Sequence, residues 1–426
     1  MRPIHPTRTT VRLPRLLLPT LLLAVGASAA LAQPSGFLEK DGATLFPLGF
    51  YEFPKEESAA RRMVDAGVNL VRVTGKEDLD RAEDLGLQGV LPVRVDGGAT
   101  EELRQRVESV KDHPALAVWE GPDEVVWNFT AYSGLHRTLN IYPTRDEWWR
   151  QTPLAYEYSE KKASEILPKM REGIELIRAL DARKRPFWIN EAMESDVKFA
   201  RAYMDWIDIT GCDIYPVKKE ERLVGRMAHA TDRWGAIGRG KPVWMVMQAF
   251  SWHELGDYYG HKEAAYPTFA ESRFMAYSVI AHGASGILYW GSEVLTSESF
   301  RESLYSLVSE LSALQPFLVA PDRVQPKVTV IPSKEDEVTD SVRAFARRAG
   351  EDWLLVVVNE NDQRHMGVVV AGLEPLEART LELLYGKEAA KVTGGETVLR
   401  LQPYEVKVYC TSRGYESARR QGREGD

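Results

Sequence analysis

Between residues 45 and 316, short apolar runs alternate with longer amphipathic stretches. The runs are FPLGFYEF (46–53), VNLVRV (68–73), GVLPVRV (89–95), ALAVWE (115–120), PFWIN (186–190), WIDITGCDIY (206–215), PVWMVMQAF (242–250) and SGILYW (285–290). Each has the length and the β-branched or aromatic content of a buried strand. The intervening segments near 56–67, 77–85, 100–112, 155–184, 193–205, 218–236, 268–282 and 297–316 place apolar residues at helical spacing. Repeated βα units with eight strands predict an α/β fold, a closed (β/α)8 TIM barrel spanning 33–318. A doubly wound open sheet has the same alternation, but no Gly-rich phosphate loop follows the first strand.

The texture changes at Pro316 to Pro326. From there VTVIP, VRAFARR, WLLVVVNEN, MGVVVAGL, TLELLYG and YEVKVYC read as strands divided by turn residues, with no helical pattern between them. A small all-β sandwich over 326–412, supporting the barrel, is expected. The charged segment 413–426 is expected to be a disordered tail.

The amino terminus changes the cellular setting. Four arginines and no acid precede an apolar run from Leu16 to Val25, and Ala30-Leu31-Ala32 follows. This is the pattern of a signal peptide over 1–32, so the mature chain is expected to be secreted or periplasmic. No later run is long enough to cross a membrane. Loss of the leader takes the formal net charge from −8 to about −12, which disfavours nucleic acid as a partner. Cys212 sits within an apolar strand-like run and Cys410 at the end of a distant one, and the two are expected to be buried thiols rather than a bridge. No zinc spacing appears, because His253-Glu254 lacks a second histidine four residues on, and no metal or cofactor is expected.

In a barrel of this kind chemistry gathers at the carboxyl ends of the strands. The polar residues there are Tyr51 and Glu52, Arg72, Arg94 and Asp96, Asp123 and Glu124, Asn190 and Glu191, Asp213 and Tyr215, Gln248, and Trp290 with Glu293. A ring of carboxylates and aromatics suits glycoside cleavage, which uses two carboxyl groups and flat rings against sugar faces.

The segment Trp119-Glu120-Gly121-Pro122-Asp123-Glu124 resembles the fourth-strand end of clan A glycoside hydrolases, Trp-(Glu)-x-x-Asn-Glu. The resemblance implies Glu124 as acid/base and Trp119 as part of the sugar site. Asp123 stands where the family's Asn contacts the sugar 2-hydroxyl, and a second carboxylate beside Glu124 raises its proton affinity. Without the resemblance, Pro122-Asp123-Glu124 is an ordinary turn before a helix. Tyr289-Trp290 resembles the aromatic that floors the innermost sugar subsite.

The family's nucleophilic Glu, at the end of the seventh strand, is replaced by Gln248. An amide cannot form the glycosyl-enzyme ester. Three explanations remain open: the second carboxylate comes from another strand end, the mechanism inverts with a distant base, or the protein binds glycans without cleaving them. Asp213 and Glu191 are the candidates for base or nucleophile. Tyr51, Glu52, Arg72, Trp119, Asp123, Asn190, Tyr215, Gln248, Trp290 and Glu293 are the candidates for substrate contact. The expected partner is a carbohydrate, and the aromatic-rich insertion 126–152, with Trp127, Trp148 and Trp149, is expected to wall its cleft.

Overall fold

The computed structural model describes residues 35–132, 153–331 and 341–421. The expected leader, and Trp148 and Trp149 of the insertion, lie outside the described residues. Eight parallel strands close a barrel: β3 (Leu48–Phe50), β4 (Leu70–Arg72), β5 (Gln88–Pro92), β6 (Leu116–Glu120), β7 (Phe187–Ala192), β8 (Ile209–Asp213), β9 (Val243–Gln248) and β10 (Gly286–Trp290), with β10 pairing back to β3. Each is followed by its helix: α1 (Glu57–Asp65), α2 (Lys76–Asp84), α3 (Glu101–Glu108), α4 (Pro153–Leu180), α5 (Val197–Tyr203), α6 (Arg226–Gly238), α7 (Phe269–Ala281) and α8 (Glu298–Ala313). The eight strands and eight helices fall where the periodicity predicts. The sixth helix differs, because 218–225 is a loop bridged between Val217 and Arg222 and tied to Glu271 by Arg222.

Side-chain alternation along the strands sorts the core into two layers. Leu70, Val90, Val118, Trp188, Ile209, Trp244, Val246 and Leu288 fill the barrel, whereas Val71, Leu91, Trp119, Ile189, Met245 and Met247 face the helices. Gly211 leaves room for this filling, since a Cβ there would meet the Trp244 carbonyl oxygen at 1.8 Å. A hairpin ahead of the barrel, β1 (Leu38–Lys40) and β2 (Ala43–Leu45), closes its amino-terminal end. Its Leu38 enters the inner layer, and the Trp244 indole donates to the Gly36 carbonyl at 2.8 Å.

Nine further strands form two antiparallel sheets. The larger contains β11 (Arg323–Val324), β13 (Val342–Ala349), β14 (Asp352–Asn359), β16 (Thr380–Leu383), β17 (Ala389–Lys391) and β19 (Val406–Cys410); the smaller contains β12 (Lys327–Val330), β15 (Met366–Ala371) and β18 (Glu396–Leu401). In β14, Leu354, Val356 and Val358 join the barrel's helix-layer core, while Trp353, Leu355 and Val357 join the core between the sheets. That double burial explains its unbroken apolar run. Cys212 and Cys410 are both free and buried. Among the described residues no helix is long and apolar enough to cross a membrane.

The expected disordered tail is corrected in part. After a short helix α9 (Gln315–Leu318), the chain returns at its end to clasp the barrel with the turn Arg413–Tyr415 and helix α10 (Ala418–Gln421). Tyr415 meets Phe317 edge-on at 4.6 Å, the Ser417 amide donates to the Tyr385 hydroxyl at 2.6 Å, and Arg420 lies 3.5 Å from the buried Glu310 carboxylate. Charge and aromatic rings together supply partners that composition alone does not reveal. Deleting 413–426 uncovers Phe317 and weakens the neutralisation of Glu310, and should cost on the order of 2–4 kcal/mol, measurable by urea unfolding.

His282, half-buried just after α7 with its side chain nearly covered, joins the barrel to the end of β14. Its Nδ1 faces Asp232 at 2.8 Å and its Nε2 faces Glu360 at 2.9 Å, so the doubly protonated ring satisfies both acceptors. Burial lowers its pKa, but Glu360 and Asp232 outweigh burial and the net displacement is upward. A raised folded pKa gives stability that is full below the unfolded value of about 6.5 and is lost as pH rises through the folded one. The urea midpoint should therefore fall between pH 6 and pH 9, and His282→Gln should flatten that part of the fall.

Candidate active site

The carboxyl ends of the strands carry a buried acid cluster. Alternation in β6 turns Val118 and Glu120 into the barrel and Trp119 outward. Glu120 is fully buried, and one of its oxygens accepts from the Arg72 Nε at 2.6 Å. Its other oxygen has no protein partner. Burial pushes its carboxyl up to about 8, with Arg72 opposing and Asp123 adding. Arg72 also lies over the Tyr51 ring at 5.1 Å, and the Tyr51 hydroxyl neighbours Asp123.

Beyond Glu120 the chain turns sharply. Glu124 has a left-handed backbone, φ 51°, which is strained for a side chain with a Cβ. Its amide donates to the Asn190 carbonyl at 2.9 Å, and its carbonyl accepts from the Asn128 amide at 2.8 Å. The turn delivers Glu124 to the mouth, where its carboxyl hydrogen-bonds that of Asp213 from the end of β8. Burial raises Glu124 to about 7, with Asp123 adding. Asp213 is also raised, by burial first and by Glu124 and Asp123 after it. Two carboxyls in contact hold a proton between them, and they titrate as a pair.

Asn190 knits the cluster together. It is 1% exposed, and its Nδ2 donates to Asp123 at 3.0 Å and to Asp213 at 3.1 Å. With carboxylates on both sides, the nitrogen assignment is fixed, and Asn190 Oδ1 is left buried without a protein partner.

An aromatic wall stands beside the acids. Tyr215 and Trp290 stack at 5.3 Å and 25°, with Phe250 edge-on to both and Trp252 beyond. On the side of β4 to β6, a cavity of about 720 Å³ opens against Arg72, Arg94, Asp123, Phe129 and Tyr158. Among the described residues no three acids, histidines or cysteines converge with metal-holding geometry.

Glu124, Asp213, Asp123, Asn190, Arg72, Tyr51, Tyr215 and Trp290 are thus brought together. Five other sequence candidates are not. Trp119 packs in the helix layer, and its indole donates to Asp181 at 2.8 Å. Glu191, one residue past the inward Asn190, faces outward. It is fully buried and accepts from the Val126 and Trp127 amides, the Ser195 hydroxyl and the Tyr203 hydroxyl at 2.9, 3.3, 2.7 and 3.0 Å. Glu191 therefore braces the turn that follows Glu124.

Gln248 faces the mouth, but backbone consumes its amide. Oε1 accepts from the Val217 amide at 3.0 Å, and Nε2 donates to the Val217 and Phe250 carbonyls at 2.9 and 3.0 Å. Glu52 is likewise taken up by the Gly291 amide and by the amide and hydroxyl of Ser292. Glu293 is exposed on the loop after β10, outside the cluster. Glu120 and Trp252 are the residues that strand-end reading missed. An acid closing an apolar strand in phase with Val118 was the available signal for the first.

No protein-family model matches the chain, and no curated protein matches it. Among solved structures it is similar to a glycoside hydrolase family 5 protein from Bacteroides vulgatus ATCC 8482, with a TM-score of 0.53 and 15% identity over 88% of this chain and 93% of that one. It is also similar to the β-galactosidase from Bacillus circulans sp. alkalophilus, with a TM-score of 0.52 and 10% identity over 86% of this chain and 99% of that one. At these identities the likeness is one of fold, and the chain has the barrel-and-β-sandwich fold found among clan A glycoside hydrolases.

Proposed function

We propose that the protein is an exported glycoside hydrolase in which Glu124 is the general acid and Asp213 is its partner carboxyl. The contact between these two carboxyls at the centre of the mouth carries the reading. Such a pair supplies a proton to give and a negative charge to oppose an oxocarbenium ion. The strained backbone of Glu124 supports the same assignment, because strain of this kind gathers at active sites. The stacked Tyr215 and Trp290 offer a flat face to a sugar ring.

Retaining enzymes hold their two carboxyls roughly 5–5.5 Å apart and inverting enzymes roughly 6.5–9.5 Å apart. A glycosidic oxygen entering between Glu124 and Asp213 replaces their mutual hydrogen bond. Glu124 then protonates the leaving oxygen while Asp213 faces the anomeric carbon or a water beside it. Hydrolysis followed by NMR tests the geometry: a product anomer matching the substrate assigns Asp213 as nucleophile, and the opposite anomer assigns it as base.

A second reading, glycan binding without cleavage, is favoured by Gln248. Its amide is held by backbone on both sides at the position where the resemblance expects a nucleophile. Sugar binding by the wild-type protein, without hydrolysis of any aryl glycoside, would select that reading.

A further inference from the structure

The mouth is lopsided in charge and in hydrogen bonding. Glu120, Asp123, Glu124 and Asp213 converge there, and Arg72, already bound to Glu120, is the guanidinium among them. Glu194, near Glu124, is paired with Arg226 at 2.6 Å.

The orphaned atoms point the same way. Glu120 Oε1 and Asn190 Oδ1 belong to side chains 0% and 1% exposed, both turned into the barrel mouth and both without a protein donor. Asn190 Oδ1 is an acceptor, and Glu120 Oε1 becomes one when its carboxyl is ionised; leaving a buried acceptor unmet costs roughly 1–3 kcal/mol. The Asn190 amide hydrogens are already spent on Asp123 and Asp213. A neutral hydroxyl brings one donor and an acceptor that this wall does not need. An ammonium brings three donors, no acceptor and the missing positive charge. The faces of Tyr215 and Trp290 add favourable cation–π attraction at the edge of the cluster.

We propose that the barrel mouth is built for a sugar bearing a free ammonium group, so that the substrate class is an amino sugar rather than a neutral or acidic one. The inference rests on the mouth being the sugar site, as in the function proposed above. It does not need the bond to be cleaved.

In the unliganded cluster, burial favours proton uptake by Glu120, Glu124 and Asp213, with Tyr51, Tyr215, Arg72 and Glu194 as the neighbouring titratable groups. An ammonium in contact replaces such a proton. Binding at pH 6.5 should therefore release protons to the buffer.

Isothermal titration calorimetry of the full mature chain with D-glucosamine, D-galactosamine and D-mannosamine, beside their N-acetyl and 2-hydroxy counterparts, tests this. Monosaccharides have no glycosidic bond to cleave, so the result is independent of whether the protein is a hydrolase. At least one amino sugar should bind ten-fold or more tighter than its neutral counterparts, with proton release, and Asp123→Asn should erase the preference. Proton release by the wild-type protein gives a readout that does not depend on the variant folding. Equal or tighter binding of the neutral sugars, absence of amino-sugar binding, binding without proton release, or an unchanged preference in a folded Asp123→Asn protein would each overturn the proposal.

Discussion

Glu124→Gln should lower kcat on an aryl glycoside by on the order of 10³-fold, within the range that a positioned general acid contributes. An amide keeps the shape of the side chain but carries no transferable proton. The pH profile should show the same group. Glu124 stands at about 7, raised chiefly by burial, and an acid must be protonated to act. Activity should therefore hold below about pH 7 and fall as pH rises through that value. Because the proton is shared with Asp213, the alkaline limb belongs to the pair. Asp213→Asn should both reduce kcat and displace the limb, whereas a residue serving only the fold would leave the limb in place.

Glu191→Ala should produce the largest loss of stability, on the order of 3–5 kcal/mol by urea unfolding. The carboxylate is wholly buried, and its removal strands two backbone amides and the hydroxyls of Ser195 and Tyr203. The two amides belong to the turn that immediately follows Glu124, so loosening it should also disorder the acid. Glu191→Gln keeps the volume and should recover part of the stability, but its amide nitrogen faces donors where an acceptor is required. The prediction separates a brace from a catalyst. A catalytic Glu191 would make Glu191→Gln inactive at full stability, whereas a brace loses stability and activity together.

The contrast between Glu124 and Glu191 shows how far sequence carries this protein. Strand positions are readable because each barrel strand is an apolar run flanked by helical periodicity, and all eight fall as expected. Facing is the harder step. Trp119 and Glu191 stand at strand ends beside true mouth residues, yet each is one position out of phase with Val118-Glu120 and with Asn190. Period-two phase carried that information, and a survey of strand-end polar residues ignores it.

Gln248 could not have been assigned from phase, since it does face the mouth. Its engagement depends on where the loop carrying Val217 runs, which no local pattern encodes. The carboxyl-terminal clasp escaped for a related reason. Arg420 and Tyr415 are surface-like in composition, and only the return of the chain onto Glu310 and Phe317 gives them partners.

The most direct test of the account is release of phenol from a panel of aryl glycosides, with amino sugars included, by the mature protein and its Glu124→Gln variant at pH 6. The account predicts turnover by the wild-type protein on at least one member of the panel and its loss in the variant. A wild-type rate no higher than that of buffer across the panel, with sugar binding intact, would contradict it. Undiminished turnover by the variant would contradict it equally.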